Sequence, residues 1–247
     1  ESCAETVYLP GHKITNADLH DADALITRTR TCCDAALLEG TTLKFIATAT
    51  IGYDHIDPVA CAERGIVWTS SPGCNSGSVA QYIASTLLNL ALRHHLTLRG
   101  MTIGIVGVGN VGTKVAKVAR ALGMNVLLND PPRARREGSQ NFVTLDAIIE
   151  QADFITFHVP LDRESGPDRT FHLADQHLLR RLKPGAFLIN SSRGEVVDNA
   201  ALKIKLRTGL LGGAVLDVWE NEPELDRELL ELVDFATPHI AGYSADG

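Results

Sequence analysis

No apolar run in this sequence reaches the roughly 20 residues that a membrane-spanning helix needs, and its first residues lack the basic start and apolar stretch of a signal peptide. No membrane partner is expected. Cysteine is scarce as well. Cys3, Cys32, Cys33, Cys61 and Cys74 are odd in number and nowhere fall in Cys-x-x-Cys spacing, so neither a disulfide framework nor a zinc site is indicated, and reduced thiols in the cytoplasm are expected. A surplus of basic residues is also missing: the formal net charge is -7, which argues against a nucleic-acid partner. The chain starts with Glu1 rather than Met, and a fragment of a longer protein is the expectation.

What is present is organised around residues 101–112, MTIGIVGVGNVG. Met101 to Val106 has the dense apolar character of a strand buried on both faces, as parallel sheets require. Gly107, Gly109 and Gly112 then form GxGxxG. The first allows a tight turn, the second lets backbone approach a pyrophosphate, and the third lets the next helix pack closely on the strand. That helix, from about Val111 to Leu122, aims its N-terminal amides at the phosphates. The run NVLLND reads as a second strand ending at Asp130, about 20 residues past the glycines, where an acid meets adenosine ribose hydroxyls. A carboxylate there repels a ribose 2'-phosphate, so NAD is expected over NADP. Arg133, Arg135 and Arg136 follow closely and pull the other way. The bland alternative is that Asp130 only starts a turn before Pro131 and Pro132.

At 247 residues the length suits two domains. In the first hundred residues ETVYLP is a short strand candidate, and ITNADLHDA has Thr15 or Asn16 placed to cap a brief helix. ADALITR reads as a buried strand, CCDAALLEG as a helix closed by Gly40, and LKFIATAT and GIVWTSS as further strands. No nucleotide fingerprint accompanies them. Residues 78–98 carry apolar positions at helical spacing and read as a bridge between domains, with His94 and His95 near its C-terminus. Beyond Asp130 strands and helices alternate, giving six strands from Met101 onward and a doubly wound parallel sheet.

Ligands of such sheets lie beyond the carboxyl ends of the strands. Those ends hold Arg193 in SSRG, Asp217 in VLDVWENEP with Glu220 and Glu222 after it, and His239 after Pro238. An arginine pairs with a substrate carboxylate, a histidine exchanges a hydroxyl proton near working pH, and a glutamate beside it fixes the imidazole tautomer. Together they suit hydride chemistry on a 2-hydroxy or 2-oxo acid. His158, inside an apolar strand, reads instead as a core residue.

The segments GIVGVGNVG, LKPGAFLINSSRGEVVDNAAL, VLDVWENEP and PHIAGYS resemble the D-2-hydroxyacid dehydrogenase family over nearly the whole chain, and TATIGYDHID, SPGCNS, NDPPRA and HIAGYSADG resemble one branch of it acting on a phosphorylated hydroxy acid. The resemblance implies an α/β enzyme: a flavodoxin-like substrate domain over residues 1–95, a Rossmann NAD-binding domain over 96–237, and a return toward the first domain over 238–247. By the same resemblance the family's first strand and C-terminal dimerisation domain are expected to lie outside this sequence, and the full-length protein is expected to be a homodimer. It makes Arg193 the substrate-carboxylate residue, Glu222 the partner of the histidine and His239 the acid/base, with Glu220 as the rival carboxylate. Gly107, Gly109, Asn110, Val111, Gly112, Asp130, Val159, Asp217 and Gly242 fall on NAD positions, and Thr29, Thr50 and Tyr243 on substrate positions. Val159 stands where relatives often carry threonine, so contact there falls to the backbone. Another family member with a different hydroxy acid, and a non-enzymatic NAD-sensing relative, fit the same residues.

Overall fold

The computed structural model describes residues 4–243, so Cys3 and the Ser244–Gly247 end of the last motif lie outside the described residues. The chain divides between Cys74 and Asn75 into two compact units.

In the first unit residues 4–10 form no strand: Val7 and Tyr8 are exposed, and a lone extended segment gains nothing without a partner. Thr15 caps a short 3-10 turn, Asn16–Leu19, through a reciprocal pair with Asp18. Then follow β1 (Ala24–Thr27), α1 (Ala35–Leu38), β2 (Phe45–Thr48), α2 (Pro58–Glu63) and β3 (Val67–Thr69). The strands are parallel in the order β1-β2-β3, with Ile26 beside Ala47 and Ala47 beside Thr69. Helix α2 escaped the periodicity reading because it is short, yet it carries a clear start signal: Asp57 accepts from the amides of Val59 and Ala60, and Pro58 occupies the first turn. Leu25, Ile46, Leu38, Cys33, Cys61 and Ile66 share one core. Contrary to the expectation of a buried strand, β1 alternates, with Ile26 77 % exposed. Burial pushes the Cys33 thiol up to about 12, with the neighbouring cysteines adding to the effect.

The second unit opens with α3 (Ser76–Arg93), which stops earlier than its apolar pattern. His95 takes a left-handed φ of 54°, so the Leu96 amide turns back to Ala91 O and the His95 amide to Leu92 O, a Schellman ending that stops the helix regardless of hydrophobic spacing. The helix belongs to this unit: Val79, Ile83, Leu87 and Leu90 share a buried cluster with Val115, Ala116 and Ala119.

Next come β4 (Thr102–Val106), α4 (Asn110–Ala121), β5 (Asn125–Asn129), α5 (Pro131–Glu137), α6 (Leu145–Gln151), β6 (Phe154–Phe157), α7 (Gln176–Arg181), β7 (Phe187–Asn190), α8 (Asn199–Arg207), β8 (Gly213–Leu216), α9 (Arg227–Leu232) and β9 (Phe235–Ala236). The sheet is parallel throughout, in the order β5-β4-β6-β7-β8-β9. Where a fuller sheet of this class has another strand outside β5, this chain keeps two bonds, from the Val143 amide to Leu128 O at 2.7 Å and from Asn129 Nδ2 to Val143 O at 2.8 Å. Strands β6, β7 and β8 are buried at every position, because apolar clusters cover both faces. Their register sets Val106 beside Phe157, Phe157 beside Asn190 and Asn190 beside Leu216. The segments that follow these residues therefore leave the sheet along one carboxyl edge.

Candidate functional site

The glycine turn closes as its spacing requires. Gly107 has φ +87°, and a Cβ there would stand 2.7 Å from His158 C. A Cβ on Gly112 would run into the Gly107 carbonyl oxygen and reach within 3.3 Å of Ile105 Cγ2, so a side chain at position 112 would force α4 away from β4. Gly109 has open space where a Cβ would point. Asn110 is exposed at the start of α4 and Val111 packs against the cluster beneath. Val159 lies over the turn, its Cγ1 within 2.8 Å of the Gly107 Cβ position.

Asp130 does two local jobs. Its Oδ1 accepts from the Arg133 amide at 2.9 Å as the N-cap of α5, and its Oδ2 accepts from the Val108 amide at 2.8 Å, fixing the strand end to the glycine turn. A carboxylate has about four lone-pair positions, which leaves room for ribose hydroxyls. The arginines that argued for a 2'-phosphate are engaged by acids. Arg133 grips Glu137 through Nε at 3.0 Å and Nη2 at 2.7 Å, Arg136 joins the same carboxylate at 2.8 Å, and Arg135 pairs with Asp168. The hydrogen bonds from Arg133 and Arg136 hold the Glu137 carboxyl down at about 2.

At the opposite end of the carboxyl edge, His239 Nδ1 lies 3.0 Å from Glu222 Oε2, and Glu222 Oε1 accepts from the Trp219 amide at 2.8 Å. A carboxylate can only accept, so Nδ1 carries the proton toward Glu222 and Nε2 is the atom that can face a reactant. Burial pushes the Glu222 carboxyl up, but the bonds from His239 and Trp219, with the positive charges of His239 and Arg193, outweigh it and leave the group below its ordinary 4.5. A carboxyl with a lowered folded value stabilises the fold fully above about 4.5 and loses that contribution as pH falls through the folded value; the Glu222 carboxylate is thus ionised at neutral pH. Arg193 follows β7 and is seated by its neighbours: Asn190 Nδ2 donates to Arg193 O at 2.8 Å, and a Cβ on Gly194 would meet Glu220 N at 2.6 Å. That close approach brings the SSRG turn against the 219–222 segment. The rival Glu220 turns elsewhere, accepting from His172 Nε2 at 2.5 Å and from the Asn199 amide at 3.1 Å.

Asp217 is 1 % exposed. Its Oδ1 accepts from Thr237 Oγ1 at 2.6 Å and from the Ile240 amide at 2.8 Å, and its Oδ2 from the Ala241 amide at 2.9 Å. Gly242 packs on Asn75, 3.3 Å from its Cγ measured at the glycine's would-be Cβ. The buried Asn75 Oδ1 has no hydrogen-bond partner among the described residues, an acceptor that sequence reading passed over although SPGCNS was singled out. Tyr243 is exposed. Thr29 and Thr50 belong to the first unit: Thr29 lies exposed in the turn between Arg28 and Arg30, while Thr50 is buried, its hydroxyl donating to Gly52 O at 2.7 Å. His158 sits at the end of β6 with Nε2 3.1 Å from Thr156 Oγ1, and burial holds its pKa down at about 3, so its ring is neutral at pH 7.

The sequence profile of the D-isomer specific 2-hydroxyacid dehydrogenase NAD binding domain matches residues 81–241. The chain belongs to this family. It is 60 % identical over 98 % of its length to a protein of Bacteroides fragilis (strain YCH46) named erythronate-4-phosphate dehydrogenase, spanning 70 % of that relative. It is 50 % identical to the protein of that name from Salmonella newport (strain SL254), again over 98 % of this chain but 64 % of the relative. Among solved structures, the TT0316 protein of Thermus thermophilus superposes with a TM-score of 0.83 at 32 % identity, covering 96 % of this chain and 81 % of that one. The D-lactate dehydrogenase of Aquifex aeolicus, solved with NAD and lactic acid, gives 0.81 at 28 % identity, covering 95 % of this chain and 80 % of that one. As a member of the family the chain is an NAD-dependent oxidoreductase with the family's α/β fold. The open space at Gly109, the Asp130 carboxylate and the unpartnered Asn75 oxygen fit a dinucleotide lying along the carboxyl edge. No helix among the described residues is long and apolar enough to cross a membrane.

Proposed function

We propose that the chain oxidises 4-phospho-D-erythronate to (R)-3-hydroxy-2-oxo-4-phosphobutanoate with NAD, a step of pyridoxal phosphate biosynthesis carried out in the cytoplasm by a homodimer of the full-length protein. One observation carries the chemistry: the Glu222–His239 pair with the Arg193 charge beside it, on the carboxyl edge of an NAD-binding unit. The names of the relatives at 50–60 % identity support the substrate.

Acceptance of a hydride from C2 is the chemistry that NAD would supply when bound. Arg193 holds the substrate carboxylate through its planar fork of donors. His239 takes the C2 hydroxyl proton on Nε2 as the carbonyl forms, while Glu222 keeps Nδ1 protonated and stabilises the imidazolium that results. Gly107, Gly109, Asn110, Val111 and Gly112 would hold the diphosphate, Asp130 would take the ribose, and the Val159 backbone, Asp217 and Gly242 would hold the nicotinamide half. Thr29, Thr50 and Tyr243 contact the substrate.

NADH absorbance should grow with 4-phospho-D-erythronate and not with equimolar unphosphorylated erythronate or 3-phosphoglycerate. Faster turnover of 3-phosphoglycerate would assign a different acid, and binding of NAD with no turnover of any acid would make the chain an NAD sensor. Arg28 or Arg30, on either side of Thr29 in the first unit, is proposed to meet the substrate phosphate. Arg28→Gln should raise KM for the phosphorylated acid about tenfold, the equivalent of about 1.4 kcal/mol, with kcat and the KM for NAD unchanged; an unmoved KM rules this residue out.

A further inference from the structure

The left-handed backbone at His239, φ +56°, is unusual for a residue with a Cβ and persists where the surroundings over-determine it. The surroundings here form a closed ring of bonds. The His239 amide donates to Asp217 O at 2.7 Å, and the Asp217 carboxylate takes the next two amides, of Ile240 and Ala241. Trp219 serves both sides, its amide donating to Glu222 and its indole Nε1 donating to Thr237 O at 3.0 Å. Thr237, two residues before the histidine, spends its single hydroxyl proton on Asp217 Oδ1. Tyr82 Oη lies 2.7 Å from Thr237 Oγ1, so the direction is fixed: the tyrosine donates, the threonine accepts and passes its own proton to the carboxylate. Burial pushes the Tyr82 phenol up, which keeps it a donor at neutral pH.

We infer that Tyr82 and Thr237 are positioning residues for the acid/base histidine, their hydroxyl relay from α3 to Asp217 fixing the 237–241 backbone that aims the His239 imidazole. A relay of two neutral hydroxyls ending on a carboxylate orders each member through the next, and neither tyrosine nor threonine touches a reacting atom. The inference rests on the proposed function for its kinetic readout, and the backbone readout stands apart from it.

The experiment compares Tyr82→Phe, Thr237→Val, Thr237→Ser and the Tyr82→Phe/Thr237→Val double variant in the whole chain. Tyr82→Phe should lower kcat about three- to tenfold, the loss of one neutral hydrogen bond, and Thr237→Val, which also removes the bond to the Asp217 carboxylate, about tenfold or more, each with KM for NAD and for the acid within about twofold. Thr237→Ser, which keeps the hydroxyl, should retain nearly full kcat. The double variant should lose little more than the worse single, because one relay is cut once. Amide hydrogen exchange at His239, Ile240 and Ala241 should quicken about tenfold in Thr237→Val and stay at the parent rate in Thr237→Ser. Equal kcat loss in Thr237→Ser and Thr237→Val, additive losses in the double variant, or unchanged exchange in Thr237→Val would each overturn the inference. If the parent chain does not oxidise 4-phospho-D-erythronate, it is the proposed substrate that fails, and the exchange rates still decide the relay.

Discussion

His239→Gln is expected to lower kcat by about three orders of magnitude while leaving NAD affinity within about twofold, since positioned proton transfer contributes roughly 10²–10⁴ and glutamine cannot accept the hydroxyl proton. Glu222→Gln should do less. It removes a charge-assisted bond at 3.0 Å worth about 1.5–3 kcal/mol, a kcat loss of about 10- to 150-fold. Arg193→Ala should divide differently, with KM for the acid rising by at least about tenfold along with a loss in kcat, because the guanidinium is proposed to bind the carboxylate and also supplies charge near the pair. Steady-state kinetics of the three variants against both substrates check the assignment. A Glu220→Gln control separates the two acids: Glu220 is engaged by His172 and the Asn199 amide, so its loss should cost little kcat. If Glu220→Gln proved worse than Glu222→Gln, the partner assignment would be reversed.

The parts of this fold legible in the sequence were those written in runs of buried residues and in glycine spacing. β4, β6, β7 and β8 are apolar at nearly every position because both faces of the sheet are covered, and GxGxxG could be placed because each glycine answers a separate clash. The first unit was read less well. Its strand β1 looks apolar over ALI, but it has one covered face, and an alternating burial of Leu25 and Thr27 against exposed Ala24 and Ile26 is hard to see in four residues. Helices α2 and α5 were missed because one or two turns give no period to detect; Asp57-Pro58 and Asp130-Pro131 were the available signals, and the second was weighed only as a turn. In the site, Arg193, Glu222 and His239 were legible as residue types at strand ends. The preference for Glu222 over Glu220 came from its place before Pro223 and its spacing from Arg193, whereas the bond that draws Glu220 to His172, 48 positions away, left no local mark. Tyr82, Thr237, Trp219 and the Asn75 oxygen left no trace either: their roles come from hydrogen bonds between distant elements, and no periodicity encodes them.

The glycine turn offers the sharpest separation of folding from binding. Gly112→Ala and Gly109→Ala add the same methyl group three residues apart, yet they should behave differently. At position 112 the new Cβ meets the Gly107 carbonyl and, 3.0 Å away, its carbon. Backbone cannot rotate aside as a side chain would, so either the turn opens or the first turn of α4 lifts from β4. Overpacking of this kind costs about 1–3 kcal/mol, which in a unit of this size is a fall in Tm of several degrees, and the amides that would face the diphosphate are displaced with it. At position 109 nothing lies within 4 Å of the added Cβ, and φ of -73° is ordinary for alanine. Gly109→Ala should therefore unfold within about 1 °C of the parent and yet bind NAD at least about tenfold more weakly, because the methyl group stands in the space through which the diphosphate approaches the backbone. Thermal unfolding with and without NAD, together with titration of NAD into each variant, reads both quantities. Undiminished NAD affinity in Gly109→Ala would mean that the diphosphate does not lie on this turn, and the assignment of the cofactor to the carboxyl edge beyond Val106 would have to be withdrawn.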